Sequence, residues 1–366
     1  MKKFQFSFAF SIIVLVLSGC KEQPPEPKNN DITPGKREYI WSVDTLFYHP
    51  GGQTLLTSLW GSSSTNVYTV GHDAHAGTAT MWHFNGEKWS IVGLLPAYGG
   101  QIEGPYDLQS IYGFDSANIY ACGNRIYQTF SSTPPYFLDS TFIIHFDGVS
   151  WKEIDIKREK GQLFRIYPMQ NQNIWFSGHN YFLYSLIDNQ FHIDSIPASM
   201  GGLSHLAVNI MGIYTDNLNS LYTLLTVFDD TNGDEWNYNY VKLNSGWMAI
   251  DSFSLQSVHR WGASFVWRNN DGTLYSCGDG IFQRTESVWI QIFKPGFIIK
   301  KLWGTSNENI FALSVGGPVY HYNGIDWSEL SLPQVNEFRT AGIWGTSDEV
   351  FISAHDGNKT IMIHGK

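Results

Sequence analysis

Apolar and polar positions along this chain of 366 residues alternate in short runs, and three aromatic positions recur through those runs at regular offsets. The first set is Trp60, Tyr112, Tyr167, Tyr214, Trp267, Trp303 and Trp344, spaced 36 to 55 residues apart. The second follows eight residues later at Tyr68, Tyr120, Trp175, Tyr222, Tyr275 and Phe311, with Phe351 arriving one residue early. The third set, Trp89, Trp151, Phe191, Trp247, Trp289 and Trp327, is one member short; the seventh is Trp41, upstream of everything else. In the clearest copy an apolar strand ends at Trp303, a polar turn through Gly304, Ser306 and Asn307 follows, and a second strand alternates through Phe311. A third strand then ends at Asn323-Gly324, and a fourth begins at Trp327. Alternating runs punctuated by such turns predict antiparallel hairpins. The residue before each first aromatic is Leu59, Ile111, Ile166, Ile213, Val266, Leu302 or Ile343, all β-branched or Leu, as an inner strand packed between neighbours requires.

The last repeat, Trp344 to His364, stops after three strands, and Tyr39-Ile40-Trp41-Ser42-Val43-Asp44 reads like the missing fourth. Pairing residues 38–45 into the blade formed by residues 340–366 closes a ring and removes two exposed sheet edges. The expectation is an all-β, seven-bladed β-propeller over residues 37–366 whose last blade is completed by an N-terminal strand. Repeat four departs most from the pattern, at Asp216-Asn217-Leu218-Asn219-Ser220, and repeat five is the shortest.

Residues 1–19 begin Met-Lys-Lys and continue as an apolar run too short to serve as a membrane span, the pattern of a secretory signal peptide. The ending Leu17-Ser18-Gly19-Cys20 resembles the lipobox of bacterial lipoproteins, which implies cleavage before Cys20 and acylation of its sulfur, palmitate included; a cleaved signal without lipid is the alternative. Residues 20–36 then form a proline-rich polar tether that has no core to bury. Lys21 is not the Asp that resembles an inner-membrane retention signal, which favours the outer membrane, and the early Lys21-Glu22 looks like the surface-export signals of Bacteroidota lipoproteins. The repeats themselves, of the form Trp-Gly-x-Ser, aromatic, His-Tyr-Asn-Gly, Trp, resemble a broad class of bacterial propeller-repeat lipoproteins. That resemblance implies a cell-envelope protein tethered to a membrane by lipid, on the periplasmic side or the cell surface. It is specific for fold and not for function.

Charge and chemistry narrow the partners. Loss of Lys2 and Lys3 with the signal takes the formal charge from −10 to −12, and such a chain is a poor partner for nucleic acid, which needs clustered Lys and Arg. Charged residues are 15% and aromatics 16%, so much aromatic surface is buried or used for contact. Cys122 and Cys277 each lie ten residues after the first aromatic of their own repeats, which places them on separate blades as buried, unpaired thiols. His83, His145, His321 and His364 likewise occupy one equivalent position on different blades, which excludes shared metal coordination.

Links between second and third strands and between blades are long, among them 72–78, 93–106, 124–141, 197–205 and 228–236. Both kinds emerge on one end of an up-and-down blade, and long loops on a rigid scaffold usually carry binding. Near that end the inner strands supply Arg165, Lys300 and Lys301, and the loops supply Tyr106, Tyr136 and Trp236. The cations would orient an anionic or carboxylated group beside stacking aromatics, or else pair with local carboxylates such as Asp107; the aromatics would stack a ligand, or else cap the blades. Asp230, Asn232 and Asp234 around Gly233 resemble half a calcium loop without its bidentate Glu; the expectation is a solvated acidic turn and no cofactor, with calcium bound there as the alternative. His72 and His75 share a loop but lack a helix to aim them at a metal.

No nucleophile elbow or phosphate loop is present, so no catalytic residue is assigned. Glu103, Asp107, Asp139, Asp230 and Asp234 could serve glycoside hydrolysis, but no spacing selects a pair. The expected function is a monomeric, non-enzymatic propeller that binds a glycan, a peptide or a partner protein, or serves as a scaffold. The alternative is a hydrolase or lyase acting on polysaccharide in the central funnel.

Overall fold

Strand propensity and closure appear together in the computed structural model, which describes residues 35–47, 53–73, 80–129, 136–156, 161–169, 172–178, 182–196, 206–216, 219–229, 235–244, 246–254, 261–286, 288–333, 339–355 and 359–366. They form seven sheets, each of four antiparallel strands. In chain order these are blade 1 (54–91), blade 2 (106–153), blade 3 (163–195), blade 4 (206–254), blade 5 (265–293), blade 6 (299–329) and blade 7 (339–365). The fourth strand of blade 7 is Trp41–Leu46, paired antiparallel with Thr360–Gly365 from Trp41↔Gly365 to Leu46↔Thr360. The chain is therefore a seven-bladed β-propeller closed as the sequence indicates, with one short 3-10 helix among the described residues, Pro96–Tyr98, between blades 1 and 2.

The core lies between blades. Seven clusters of buried apolar residues each join one blade to the next, and the one containing Leu59, Phe84, Phe351 and Met362 joins blade 7 to blade 1. All seven residues that precede a first aromatic are buried, as expected for inner strands. Repeats four and five form complete four-stranded blades despite their irregular sequences.

The glycine of Trp-Gly has a different role from the one the turn pattern predicts. Gly61, Gly113 and Gly304 lie within strands, and a Cβ on them would approach the first aromatic ring of the preceding blade, Trp344 at 2.7 Å, Trp60 at 2.5 Å and Trp267 at 2.9 Å. The missing side chain is what lets successive rings overlap around the axis. Gly113→Ala should therefore cost about 1–3 kcal/mol through overpacking. Gly296→Ala, where a Cβ would meet nothing within 4 Å, should stay within about 0.5 kcal/mol. Equal denaturant midpoints for the two variants would contradict the packing role.

The four equivalent histidines are structural. His83, His145 and His321 bond through Nε2 to Asn66, Asn118 and Asn309 at 2.6, 2.8 and 2.7 Å, and His364 bonds Glu349 at 2.7 Å. Each ring stacks on the second aromatic of its blade, with centroids 3.8 to 4.3 Å apart. Burial, with the Arg37 guanidinium nearby, pushes His321 down to about 4. Because the folded chain holds this ring neutral while the unfolded chain protonates near pH 6.5, its contribution is complete above that pH and is lost as pH falls toward 4. The loss amounts to roughly 3 kcal/mol. In His321→Phe, which cannot ionise, the stability deficit relative to the natural chain should shrink by that amount between pH 7 and pH 4; parallel stability curves would rule the effect out.

Cys122 and Cys277 are buried and unpaired, on second strands opposite Ser110 and Phe265 respectively, the same register position in blades 2 and 5.

Candidate functional site

Six of the seven innermost strands carry a register shift at one equivalent place: Leu56/Ser58, Leu108/Ser110, Leu163/Arg165, Ile210/Gly212, Ile299/Lys301 and Thr340/Gly342. Each is a β-bulge that turns one extra residue out of the ladder, and those residues, Thr57, Gln109, Phe164, Met211, Lys300 and Ala341, all line a cavity on the propeller axis. The sequence does contain the signal. Apolar residues buried on the same strand are three apart at Leu56/Leu59, Leu108/Ile111, Leu163/Ile166, Ile210/Ile213 and Ile299/Leu302, where an unbroken strand spaces one face by two.

The axial cavity holds about 1300 Å³, more than the ~300–1,000 Å³ of sites for drug-sized ligands. All seven first aromatics line it, forming a collar. Among the described residues its lining centres on the bulges, extends past them to Asn209 and Gly178, and runs the other way to the first turns, reaching Met169 in blade 3 and Asn269–Gly272 in blade 5. The strand starts at the long-link end, such as Thr54, Tyr106, Ile299 and Arg339, are outside it.

Arg165, Lys300 and Lys301 meet in this cavity. Each innermost strand is a sheet edge, so its unpaired backbone groups face the axis, and two of the cations use them. Arg165 donates to the carbonyls of Met211 at 3.4 Å and Ser264 at 3.3 Å, spanning blades 3 to 5, with its guanidinium 5.0 Å from the Phe265 ring centre. Lys300 donates to the Thr340 carbonyl of blade 7. Among the described residues none of the three cations forms an ion pair with a carboxylate. Burial pushes Lys300 and Lys301 down to about 8, helped by the charge of Arg339 on Lys300 and those of Arg165 and Lys300 on Lys301.

A fourth cation, Arg268, also lines the cavity and donates to Thr215 Oγ1 at 3.1 Å. It follows Trp267 at the position where four other repeats carry glycine, and that departure from the motif is the signal that points to it. The only carboxylate in the described lining is Asp271. An acidic chain thus carries a cationic axis.

The other sequence candidates lie elsewhere. Tyr106 is fully buried and stacks on Phe142 with centroids 5.0 Å apart. Asp107 is buried beside it and accepts a hydrogen bond from His72 Nδ1 at 3.1 Å, a bond that holds the imidazole above its ordinary pKa. Trp236 is 40% exposed near the start of the third strand of blade 4, outside the cavity. Tyr136 opens the third strand of blade 2 opposite Thr129, and its side chain is outside the described residues. Cys20 and the calcium candidates Asp230, Asn232 and Asp234 also fall outside them. Among the described residues no three His, Cys, Asp or Glu side chains gather as a metal set.

No protein-family description and no curated protein matches the chain. Solved structures of propeller type do match. YCF48 bound to D1 peptide aligns with a TM-score of 0.56 at 13% identity, covering 91% of this chain and 98% of that one. A catalytically inactive virginiamycin B lyase from Staphylococcus aureus with quinupristin aligns with a TM-score of 0.57 at 14% identity, covering 88% and 99%. An ulvan lyase, a polysaccharide lyase bound to -[GlcA(1-4)Rha3S]-, aligns with a TM-score of 0.50 at 10% identity, covering 86% and 91%. At these identities the likeness is one of fold.

Proposed function

We propose that this chain is a binding propeller of the cell envelope, anchored through an acylated Cys20, whose axial cavity receives an anionic group of a glycan or peptide partner. The carrying observation is the set of Arg165, Lys300 and Lys301 in one cavity without a carboxylate partner among the described residues. Keeping like charges together in a half-buried site costs stability, and a ligand anion relieves that cost. Propeller neighbours that hold a peptide or belong to a polysaccharide lyase are consistent with either partner class. A glycan array followed by envelope pull-down with the full chain tests the reading. Partners retained by the natural chain should be lost by the Arg165→Ala/Lys301→Ala variant, and undiminished capture by that variant would refute it.

A second reading, catalysis on polysaccharide, is favoured by one observation. Asp107 holds His72 Nδ1, an arrangement that orients an imidazole as a base. Two-carboxylate hydrolysis in the funnel has no pair among the described residues, since Asp271 stands alone there. Release of new chain ends from a polysaccharide panel, abolished in His72→Gln, would establish this reading in place of the first.

A further inference from the structure

We infer that the axial cavity is an acidic-saccharide site entered from the short-turn end, with a uronate carboxylate on the cations and its sugar ring against the aromatic collar. The inference rests on the reading of the cavity as an anion site and adds both the ligand class and the direction of approach.

Direction follows from the lining. Among the described residues the cavity extends from the level of Asn209 and Gly178 to the first turns, where Asn270 and Asp271 are exposed, and Thr54, Tyr106, Ile299 and Arg339 at the strand starts beneath the long links do not line it. A ligand coming from the short-turn side passes the collar before it reaches Arg165 and Lys301.

The ligand class follows from the order of the chemistry along that path. The mouth offers the neutral hydrogen-bonding side chains of Asn270 and Thr305, and Gln109 and Asn209 add two more at the level of the bulges, all of which suit hydroxyl groups. Ring faces of Trp267, Trp303 and Trp344 come next and are only partly covered, which suits the flat apolar face of a pyranose. Arg165, Lys300 and Lys301 lie at the inner end, while Arg268 and Asp271 flank the mouth. A peptide would instead need main-chain partners, and several axis-facing backbone groups are already engaged. Ser58 and Ser110 hydroxyls accept the amides of Ile111 and Ile166 at 3.2 Å, while Arg165 and Lys300 occupy the carbonyls of Met211, Ser264 and Thr340. Recognition is left to side chains, and those present match a carboxylated sugar.

The test uses the full chain carrying Cys20→Ser, so that the remaining natural thiols, Cys122 and Cys277, are buried and a maleimide-polyethylene glycol label goes to an introduced cysteine. The probes are a glucuronate-terminated trisaccharide, the same trisaccharide with its carboxyl reduced to an alcohol, and an acetylated tripeptide with a free C-terminal carboxylate, each titrated by tryptophan fluorescence. The glucuronate probe should bind at least about tenfold more tightly than its reduced counterpart. Labelled Asn270→Cys, at the short-turn mouth, should lose that binding, and labelled Val315→Cys, on the second-to-third-strand link of blade 6 at the opposite end of the ring, should keep it. Block by the Val315 label and not by the Asn270 label would overturn the direction. If the tripeptide binds in a manner that Arg165→Ala/Lys301→Ala abolishes while the trisaccharide does not bind, the saccharide class is wrong and the anion site stands. If neither carboxylate binds, both readings fall.

Discussion

Removing residues 35–46 should lower the melting temperature by about 10 °C or more, the largest effect any short deletion is expected to have on this fold. The segment supplies the complete outer strand of blade 7, with six ladder pairs to Thr360–Gly365 and a reciprocal backbone pair between Ile40 and Lys366 at 2.9 and 3.1 Å. It also buries Leu46 and stitches blade 7 to blade 6 through the Gly35 amide on the Asn323 carbonyl at 2.8 Å and the Arg37–Asp326 ion pair at 2.9 Å. At about 1 kcal/mol net per hydrogen bond and about 2 kcal/mol for a buried Leu, the loss is on the order of 5 kcal/mol or more, against a typical total of about 5–15 kcal/mol. The deletion also bares a long edge next to Ile361 and Ile363, so the shortened chain should aggregate on heating. Shortening the exposed link around Gly296 by one residue is the control; equal melting of the two chains would mean that the N-terminal strand does not close the ring.

The second large effect concerns the axis. Lys301→Met keeps the length of the side chain and removes its charge, so the variant should lose at least about tenfold in affinity for a carboxylated ligand. The free variant should melt no lower than the natural chain at pH 7 and is expected to melt higher. The sign follows from the lowered lysines. Lys300 and Lys301 sit near 8 in the folded chain against an ordinary value near 10.5, so between those values the unfolded chain binds more protons. Their repulsion and desolvation therefore weigh fully on the fold below about pH 8 and ease as pH rises toward 10.5. Ligand affinity moves the other way, falling as pH rises through about 8 because the cations disappear. An affinity unchanged between pH 7 and pH 9.5, or a marked loss of stability in Lys301→Met, would contradict this account.

Much of the fold was legible because the propeller repeats its physics seven times. The aromatic offsets mark equivalent strand positions, and the displaced Trp41 announces the closing strand; both survive in repeats four and five, where the turns are irregular. Less of the site was legible. Arg165, Lys300 and Lys301 could be placed near the axis because they fall just before a first aromatic, whereas Tyr106 has the composition of a ligand platform and the position of a core residue. Its burial depends on Phe142, a partner two strands away that no local pattern reveals. The extent of the cavity along the axis was also hidden. Loop length marks where variation is tolerated, but the cavity is set by the bulges, whose signature is a three-residue apolar spacing within strands that otherwise alternate by two.

The most direct test of the cationic axis is proton uptake on binding, measured by calorimetric titration of a carboxylated ligand, saccharide or peptide, at pH 8 in buffers of differing ionisation enthalpy. Near their midpoint the two lysines together hold about one proton in the free protein, and an anion beside them draws on the order of one more from solvent. The account predicts uptake approaching about one proton per ligand for the natural chain and close to none for Lys300→Met/Lys301→Met. Binding by the natural chain without proton uptake would place the ligand away from these lysines and contradict the claim.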